Sequence, residues 1–173
     1  TVNKEETAPE KRYRLYTLIR DNPRLVCAPD AALLLSLGGI SKIFYLEQDR
    51  ATSGVQQIAG GKTGGYAVLA EQKLYRRHFT STVDEFAVLM IAPSARRRDA
   101  LRKAIDGKPG SSLWRFADAH DLCPETLFTA PVFFPCTGDP QSLVKSSRGG
   151  ESAEIVNKTE TEHTQNTNME GAV

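Results

Sequence analysis

The chain has 173 residues, enough for one domain with a single hydrophobic core. Its 40% hydrophobic and 25% charged residues are typical of a soluble globular protein, and no apolar run approaches the roughly 18 residues that a membrane span needs. The net charge of +1 conceals an asymmetry, because residues 146–173 carry two basic and five acidic side chains and leave +4 on residues 1–145.

The first half of the chain predicts a helix, a hairpin and a second helix. Apolar side chains at 13, 15, 16, 18 and 19 predict a short amphipathic helix over 9–20. Two apolar runs split by Gly38-Gly39 predict a β-hairpin that runs from Asp30 to Asp49. Because both of its faces are apolar, the hairpin is predicted to be central in a covered sheet. A helical stretch follows over roughly 52–77.

The second half alternates strands and helices. The predicted elements are a strand over 85–93, a helix over 94–106 with Ser94 as N-cap, a strand over 112–118, a short helix around 118–123 and a closing segment over 130–138. This order predicts an α/β fold with a mixed sheet and helices on both faces. The polar segment 146–173 cannot bury enough apolar surface to fold, so we expect a disordered tail.

The cysteines and the N-terminal segment bear on location. Cys27, Cys123 and Cys136 are odd in number and form no CxxC, so we expect no disulfide framework, thiols that are buried or half-buried, and a cytoplasmic protein. The lack of a long apolar run predicts no membrane partner. A zinc site built from His120, Cys123 and Cys136 is the less favoured alternative, because structural zinc takes four closely spaced ligands. The polar start of the chain is not typical of a signal peptide, and its lack of Met suggests a piece of a longer protein.

The stretch IAGGKTGGYAV, residues 58–68, ends like a phosphate-binding loop at Gly61-Lys62-Thr63. A Walker A loop needs a glycine five residues before the second one, and that position is Gln56. The preceding residues also carry no strand pattern, so the sequence predicts no nucleotide cofactor. Four glycines in a helix cost about 3–4 kcal/mol relative to alanine, which indicates either close packing or close approach of a DNA backbone.

Acidic residues cluster at one end of the hairpin. A register with Leu37 opposite Lys42 sets Asp30 opposite Asp49, and a tighter two-residue loop sets Asp30 opposite Glu47. Either register puts these three carboxylates on one face, where a divalent cation would offset their repulsion. The alternative is that they lie in solvent at the strand ends and pair with Arg50 or Lys42.

These residues resemble a known family. The stretches APDAALLL and FYLEQDR, followed by a Lys and a Tyr, look like the nuclease-like domain of bacterial replication-relaxation proteins, which are associated with plasmids and mobile elements. The similarity runs from about Arg24 to Leu143 and includes FAVLMIAPSARRRDALRKAI and LWRFAD. It implies a restriction-endonuclease-like, PD-(D/E)XK fold: a mixed central sheet flanked by helices. The resulting domain division is 1–23 as N-terminal helix and linker, 24–145 as the nuclease-like domain and 146–173 as the tail.

The resemblance also implies a site. The pattern's metal ligands, for Mg²⁺ or Mn²⁺, fall on Asp30 and Glu47. The pattern's lysine position holds Asp49, and some members of the superfamily supply the lysine from the following helix, where Lys62 is the candidate. The catalytic set is then Asp30, Glu47, Asp49 and Lys62. The alternative for Lys62 is a solvated surface lysine beside a structural Tyr66.

Two basic clusters complete the reading. Arg76, Arg77, Arg96 and Arg97 are candidate DNA phosphate contacts, although such runs are also typical of a solvated helix face. The leading hypothesis is a Mg²⁺-dependent endonuclease that hydrolyses or nicks DNA in plasmid replication, relaxation or mobilisation, with other proteins of those processes as partners. The alternatives are a catalytically inactive DNA-binding accessory with the same fold and a protein-interaction domain.

Overall fold

A computed structural model of the chain describes residues 7–79, 83, 85–145 and 154–155. Its helices and strands, in chain order, are α1 (Pro9–Arg12), β1 (Thr17–Arg20), β2 (Leu25–Cys27), β3 (Ala31–Leu37), β4 (Ile40–Gln48), α2 (Val55–Glu71), β5 (Phe86–Ala92), α3 (Ala95–Ile105), β6 (Trp114–Asp118), β7 (Val144–Lys145) and β8 (Glu154–Ile155). The tail predicted to be disordered lies outside the described residues except for β8, which pairs with β7. Among the described helices, none has the length and apolarity needed to cross a membrane.

Four strands form the main sheet, in the order β3-β4-β5-β6. β3 and β4 are antiparallel, whereas β4, β5 and β6 run parallel to one another. The sheet is therefore mixed and flanked by α2 and α3, which confirms the predicted α/β class. The interior strand of the hairpin is β4, and β3 lies at the edge of this sheet.

The turn of the hairpin fixes the register of the acidic residues. Leu37 pairs with Ile40, so the loop consists of Gly38 and Gly39 alone, and both have positive φ angles, 56° and 81°. Glycine is favoured there because a two-residue turn of this kind requires the left-handed region at both central positions. The tighter of the two predicted registers is the one observed.

The N-terminal segment differs from its prediction. Helix α1 ends at Arg12, and residues predicted to continue it form β1, which pairs with β2 through Thr17 and Cys27. Aromatic and β-branched side chains near Thr17 suit a strand as well as a helix, and a partner strand adds backbone hydrogen bonds that an isolated short helix lacks. The predicted helix over 9–20 is therefore wrong beyond its first turn.

Both long helices pack on one face of the main sheet. The hydrophobic cluster on that face joins strand residues with residues of α2 and α3: Ile43, Tyr45, Val88, Met90, Trp114, Phe116, Ala59, Tyr66, Leu69, Leu101, Ala104 and Ile105. The prediction that helices cover both faces is wrong, because β4, β5 and β6 follow one another across the sheet. Two successive crossovers of the usual right hand then put their helices on the same side.

The other face is covered by the segment 122–143, which contains no α-helix. Its contact partners on the sheet include Phe44, Leu89 and Ala117, and its own Phe133 is completely buried. Two 2.8 Å backbone hydrogen bonds between Phe116 and Phe134 attach this segment beside β6. The closing segment predicted over 130–138 is thus the inner part of this cover.

Candidate functional site

The end of β4 and the middle of α2 meet around one buried carboxylate. Glu47 is 2% exposed and its Oε2 forms an ion pair with Nζ of Lys62. The hydroxyl of Tyr66, one turn further along α2, donates to Oε1 of Glu47 over 2.6 Å. Lys62 and Tyr66 lie four residues apart on one face of the helix, so both reach the same carboxylate.

Burial and charge act on this carboxylate in opposite directions. Removal from water raises the pKa of Glu47, and the charge of Lys62 and the hydrogen bonds from Lys62 and Tyr66 counteract that rise. Burial, followed by the charge of Glu47, raises the pKa of the Tyr66 phenol. Tyr66 is therefore a permanent hydrogen-bond donor to Glu47, a role that the spacing Lys-x-x-x-Tyr would have indicated.

Cys27 of β2 adjoins this group but is not a nucleophile. Its side chain is buried, and burial first and Glu47 second raise its pKa to about 12. The thiol is therefore protonated at neutral pH, and a thiolate is the form that reacts. Cys27 belongs to the packing between β2 and α2. The prediction of buried or half-buried thiols holds for Cys27 and Cys136 and is wrong for Cys123, which is exposed.

Asp30 lies at the same edge of the sheet as Glu47. Its backbone N–H donates to the carbonyl of Leu46 over 3.1 Å, and its Oδ2 accepts from the backbone N–H of Gln48 over 2.8 Å. The residue is exposed, and its charge is close enough to contribute to the raised pKa of Glu47. The hairpin therefore places Asp30 opposite Glu47.

Asp49 is held by a different group. Arg97 of α3 binds both of its oxygens, with Nε to Oδ2 at 2.6 Å and Nη2 to Oδ1 at 3.3 Å. Oδ1 also accepts from the N–H of Ala51, and Nη2 of Arg97 donates to the carbonyl of Ser53 over 2.6 Å. This two-pronged contact ties the end of β4 to the start of α3, so Asp49 and Arg97 are engaged with each other.

The acids do not converge on one point. Among the described residues, no group of three or more His, Cys, Asp or Glu side chains is arranged to hold a metal ion, which leaves Asp30 and Glu47 as a pair. Mg²⁺ takes one or two protein carboxylates together with waters and phosphate oxygens, so this donor set fits in kind. Binding to Glu47 would require Lys62 to release Oε2. The predicted alternative, in which the acids pair with Arg50 or Lys42, is wrong for Glu47 and Asp49. Glu47 binds Lys62, and Asp49 binds Arg97.

The zinc alternative also lacks its geometry. The Cys123 thiol donates to Glu125 Oε2 over 2.7 Å on an exposed turn, and the Cys136 thiol donates to the carbonyl of Ser111 over 3.4 Å. Neither cysteine takes part in a group of three metal-binding side chains within the described ranges. His120 instead contacts Asp118 over 2.9 Å.

The four glycines around Lys62 differ from one another. A Cβ on Gly65 would lie 2.8 Å from the carbonyl oxygen of Val26, so α2 approaches β2 too closely there for any side chain. A Cβ on Gly64 would make an ordinary 4.0 Å contact with Leu25. Gly60 and Gly61 have open space where a Cβ would be. Close packing therefore explains Gly65, and no contact within the described part of the chain requires Gly60 or Gly61.

The predicted DNA-contacting arginines lie at two ends of the sheet. The short 3-10 helix that carries Arg76 and Arg77 packs through its tyrosine on Phe86, the first residue of β5, with 5.2 Å between ring centroids. Arg96 and Arg97 lie in the first turn of α3, directly after β5 ends. A strand of seven residues separates the two pairs by roughly 20 Å, so the structure does not bring them together. Arg96 is exposed, on the same edge of the sheet as Asp49.

A second buried polar group was not predicted from the sequence. His78 is 1% exposed, and its two ring nitrogens contact the Tyr45 hydroxyl at 2.6 Å and the Thr17 hydroxyl at 2.9 Å. Burial, with smaller effects from Arg77 and Arg14, lowers the pKa of His78 to about 4. A lone histidine after two arginines carries no pattern that separates a buried from a surface position.

Searches against protein-family models, curated proteins and solved structures found no match to this chain.

Proposed function

We propose that this protein is a DNA-processing domain of restriction-endonuclease-like, PD-(D/E)XK type, related to replication-relaxation proteins, that cleaves phosphodiester bonds with a divalent metal ion. The observation that carries the proposal is the Lys62–Glu47 ion pair beside Asp30. A lysine from the helix after the hairpin reaches the acid of the second strand. This is the arrangement expected when the motif lysine is supplied by the following helix.

The surroundings of Lys62 suit a lysine with two partners. Its side chain is 38% exposed, while that of Glu47 is 2% exposed. Nζ can therefore contact a phosphate oxygen of bound DNA from the solvent side. Gly60 and Gly61 directly precede Lys62 in α2 and have open space where a Cβ would be, so a DNA backbone could approach the helix at that point.

The residues would divide the chemistry in a simple way. Asp30 and Glu47 would hold Mg²⁺ or Mn²⁺, which supplies charge stabilisation at the scissile phosphate and a lower pKa for the attacking water. Lys62 would move from Glu47 to the phosphate and offset negative charge that develops in the transition state. Tyr66 would keep Glu47 oriented through Oε1 during that exchange. Asp49 has no direct role here, because its oxygens bind Arg97.

A DNA-binding accessory without turnover is the second candidate. Both oxygens of Glu47 have protein partners, and no third acid joins Asp30 and Glu47 within the described residues. A site whose lysine stays on its glutamate would bind DNA through surface arginines such as Arg96 and hydrolyse nothing. A protein-interaction domain is the outcome if DNA does not bind at all.

The test is nicking of supercoiled plasmid in the presence of Mg²⁺ or Mn²⁺. We expect wild-type protein to convert plasmid to the open circular form, and Asp30→Asn and Lys62→Gln to reduce the rate on the order of 100-fold or more. Asp21→Asn and Lys103→Gln are matched controls, because both residues are exposed and lie on other elements. Both controls should keep the wild-type rate.

Three results separate the candidates. Nicking that survives Asp30→Asn would contradict the proposed site. Absence of nicking, together with DNA binding that weakens steeply with salt, would favour the accessory. Absence of binding even at roughly 50 mM salt, where phosphate contacts are strong, would favour the interaction domain.

A further inference from the structure

The main sheet has one covered edge and one open edge. At the β6 edge, Phe116 exchanges two backbone hydrogen bonds of 2.8 Å with Phe134, so a piece of the segment 122–143 lies beside β6. The opposite edge is β3, and in the described part of the chain no strand pairs with its outer side. An edge with unpaired backbone groups is a template for a further strand. The sheet can therefore be extended at β3.

β3 has none of the features that commonly protect an edge strand. Its sequence, AALLLSL, contains no charged residue and no proline, and its register with β4 is regular from Ala31 to Leu37 without a bulge. Charges, prolines and bulges are the usual means of preventing edge-to-edge pairing. Of the four exposed large hydrophobic side chains among the described residues, three belong to this hairpin: Leu34, Leu37 and Ile40. The edge is therefore suited to contact with another protein strand.

Alternate residues of β3 direct their backbone N–H and C=O groups outward. The N–H of Asp49, directly after β4, donates to the carbonyl of Ile91 in β5 over 2.9 Å. Odd-numbered residues of β4 therefore bond to β5, and even-numbered ones bond to β3. The partners of the even-numbered residues are the odd-numbered residues of β3, as in the pair of Leu37 and Ile40. The outward groups belong to the remaining residues of the strand: Ala32, Leu34 and Ser36.

This arrangement is complementary to itself. Leu34 is the central residue of the seven-residue strand, and its side chain is 38% exposed. When Leu34 lies opposite Leu34 of a second, antiparallel copy, Ala32 lies opposite Ser36 of that copy and every outward backbone group has a partner. On the other face of the strand, Leu33 lies opposite Leu35 of the second copy. A two-fold axis through Leu34 thus matches hydrogen bonds and apolar side chains without opposing any charges.

We propose that β3 is a dimerisation strand, through which two copies of this chain join their four-stranded sheets into one continuous sheet. A seven-residue strand is about 24 Å long, and a contact strip roughly 10 Å high along it is smaller than the roughly 800 Å² per partner of a stable complex. The dimer is therefore weak, with a dissociation constant on the order of 50 µM. It does not depend on DNA cleavage, because β3 contains none of Asp30, Glu47 and Lys62.

The test is sedimentation velocity of the full chain at roughly 5 to 500 µM, a range that spans the expected dissociation constant. The weight-average sedimentation coefficient should rise from that of a monomer toward that of a dimer. Leu34→Lys puts two ammonium groups at the two-fold axis and should be monomeric throughout. Ser36→Pro removes an outward N–H without removing a bond to β4, and should weaken association about tenfold or more. Ile40→Lys is the matched control, because that side chain is 40% exposed but lies on β4, and it should associate like the wild type.

Amide hydrogen exchange of the wild-type chain gives a second measurement that needs no variant. The outward amides of Ala32, Leu34 and Ser36 should exchange about two- to threefold more slowly at roughly 500 µM than at roughly 50 µM. The amides of Leu33 and Leu35, which bond to β4, should not change. A single monomeric species at all concentrations, or association that persists in both Leu34→Lys and Ser36→Pro, would overturn the proposal. Protection of the outward amides that does not vary with concentration would also overturn it, because another segment of the chain would then occupy the edge.

Discussion

Gly65 is the point where α2 touches the N-terminal strand pair. The carbonyl oxygen of Val26 occupies the space of its missing side chain, so the backbone of the helix and that of β2 are in contact. One turn earlier, Gly60 and Gly61 are exposed and face open space. The glycines of this helix therefore divide into one that packing requires and two that it does not.

Alanine substitutions at these glycines should change the free energy of unfolding in opposite directions. Gly60→Ala and Gly61→Ala should each raise the free energy of unfolding by about 0.4–1 kcal/mol, because alanine restricts the unfolded chain and favours the helix. Gly65→Ala should lower it by about 1–3 kcal/mol, because a backbone carbonyl cannot move aside without shifting β2. Urea unfolding measures all three, and a stabilised Gly65→Ala variant would contradict the close contact.

The same substitutions also bear on the proposed function. If Gly60 and Gly61 are retained for close approach of DNA, the alanine variants should be more stable and yet bind DNA more weakly. Gains in stability without loss of binding would remove that reason for the glycines. Stability and DNA binding measured on the same alanine variants therefore show whether Gly60 and Gly61 are neutral or serve DNA binding.

Individual contacts were predictable only where a pattern linked them. The spacing from Lys62 to Tyr66 and the alternation along β4 bring both residues toward Glu47. The partner of Asp49 lies 48 residues away on α3, and nothing in the sequence singles out Arg97 from its neighbours as the residue that binds it. Long-range pairs of this kind depend on how α3 is seated, which a local pattern does not contain.

Three separate elements meet at the His78 side chain. Thr17 belongs to β1, Tyr45 to β4, and His78 follows the short 3-10 helix after α2. A neutral imidazole has one donor and one acceptor nitrogen, and each hydroxyl can fill the complementary role in either tautomer. This group connects the N-terminal strand pair to the main sheet with polar contacts inside an aromatic core.

Stability should fall as His78 becomes protonated. Its pKa is lowered to about 4 in the folded state from the usual 6.5 of a histidine, so the unfolded chain binds the proton more strongly. The stabilisation is fully present above about pH 6.5 and is lost as the pH falls from there toward 4. Between pH 7.5 and 5 the free energy of unfolding should decrease by about 2 kcal/mol from this residue.

Denaturant unfolding of a His78→Gln variant provides the check. Glutamine can still contact both hydroxyls but does not titrate, so the variant should lose most of this decrease whatever its absolute stability. His120→Gln is the matched control at a histidine whose side chain is 79% exposed, and the decrease should persist in it. An unchanged pH dependence in His78→Gln would show that another group is responsible.

Regular elements with strong local signals were predictable. The Gly-Gly turn specified the hairpin, and Ser94, whose Oγ accepts from the N–H of Arg97 over 3.3 Å, marked the start of α3. The structure of the segment 9–20 was not predictable in this way. Its apolar spacing fits a helix, but in the fold its second half pairs with β2. Strand pairing with a distant segment overrode the local pattern there.

The whole fold depends on the segment 122–143. With α2 and α3 on one face of the sheet, this irregular segment supplies hydrophobic residues that cover the other face in the described part of the chain. Phe133 is its completely buried aromatic residue and packs in the hydrophobic cluster on that face. The sequence predicts each strand–helix–strand connection separately. That α2 and α3 lie on the same face follows only from the order of the strands in the sheet.

Truncation of Phe133 should therefore destabilise the entire molecule. Phe133→Ala should lower the free energy of unfolding by about 3–5 kcal/mol, because it removes a large side chain and leaves a cavity against the sheet. Leu37→Ala serves as the control, since that side chain is 40% exposed at the hairpin turn, and it should cost under about 1 kcal/mol. A small effect of Phe133→Ala would mean that the segment is not part of the cooperative core.

The cover has a further consequence for how the chain matures during synthesis. Phe44 leaves the ribosome about 90 residues before Phe133, which at typical elongation rates of about 5–20 residues per second is a delay of several seconds or more. Over that interval the hairpin and β5 expose a hydrophobic surface, because the segment 122–143 that covers it has not yet been synthesised. A nascent chain of this protein should therefore be a client for holding chaperones until residue 143 has emerged.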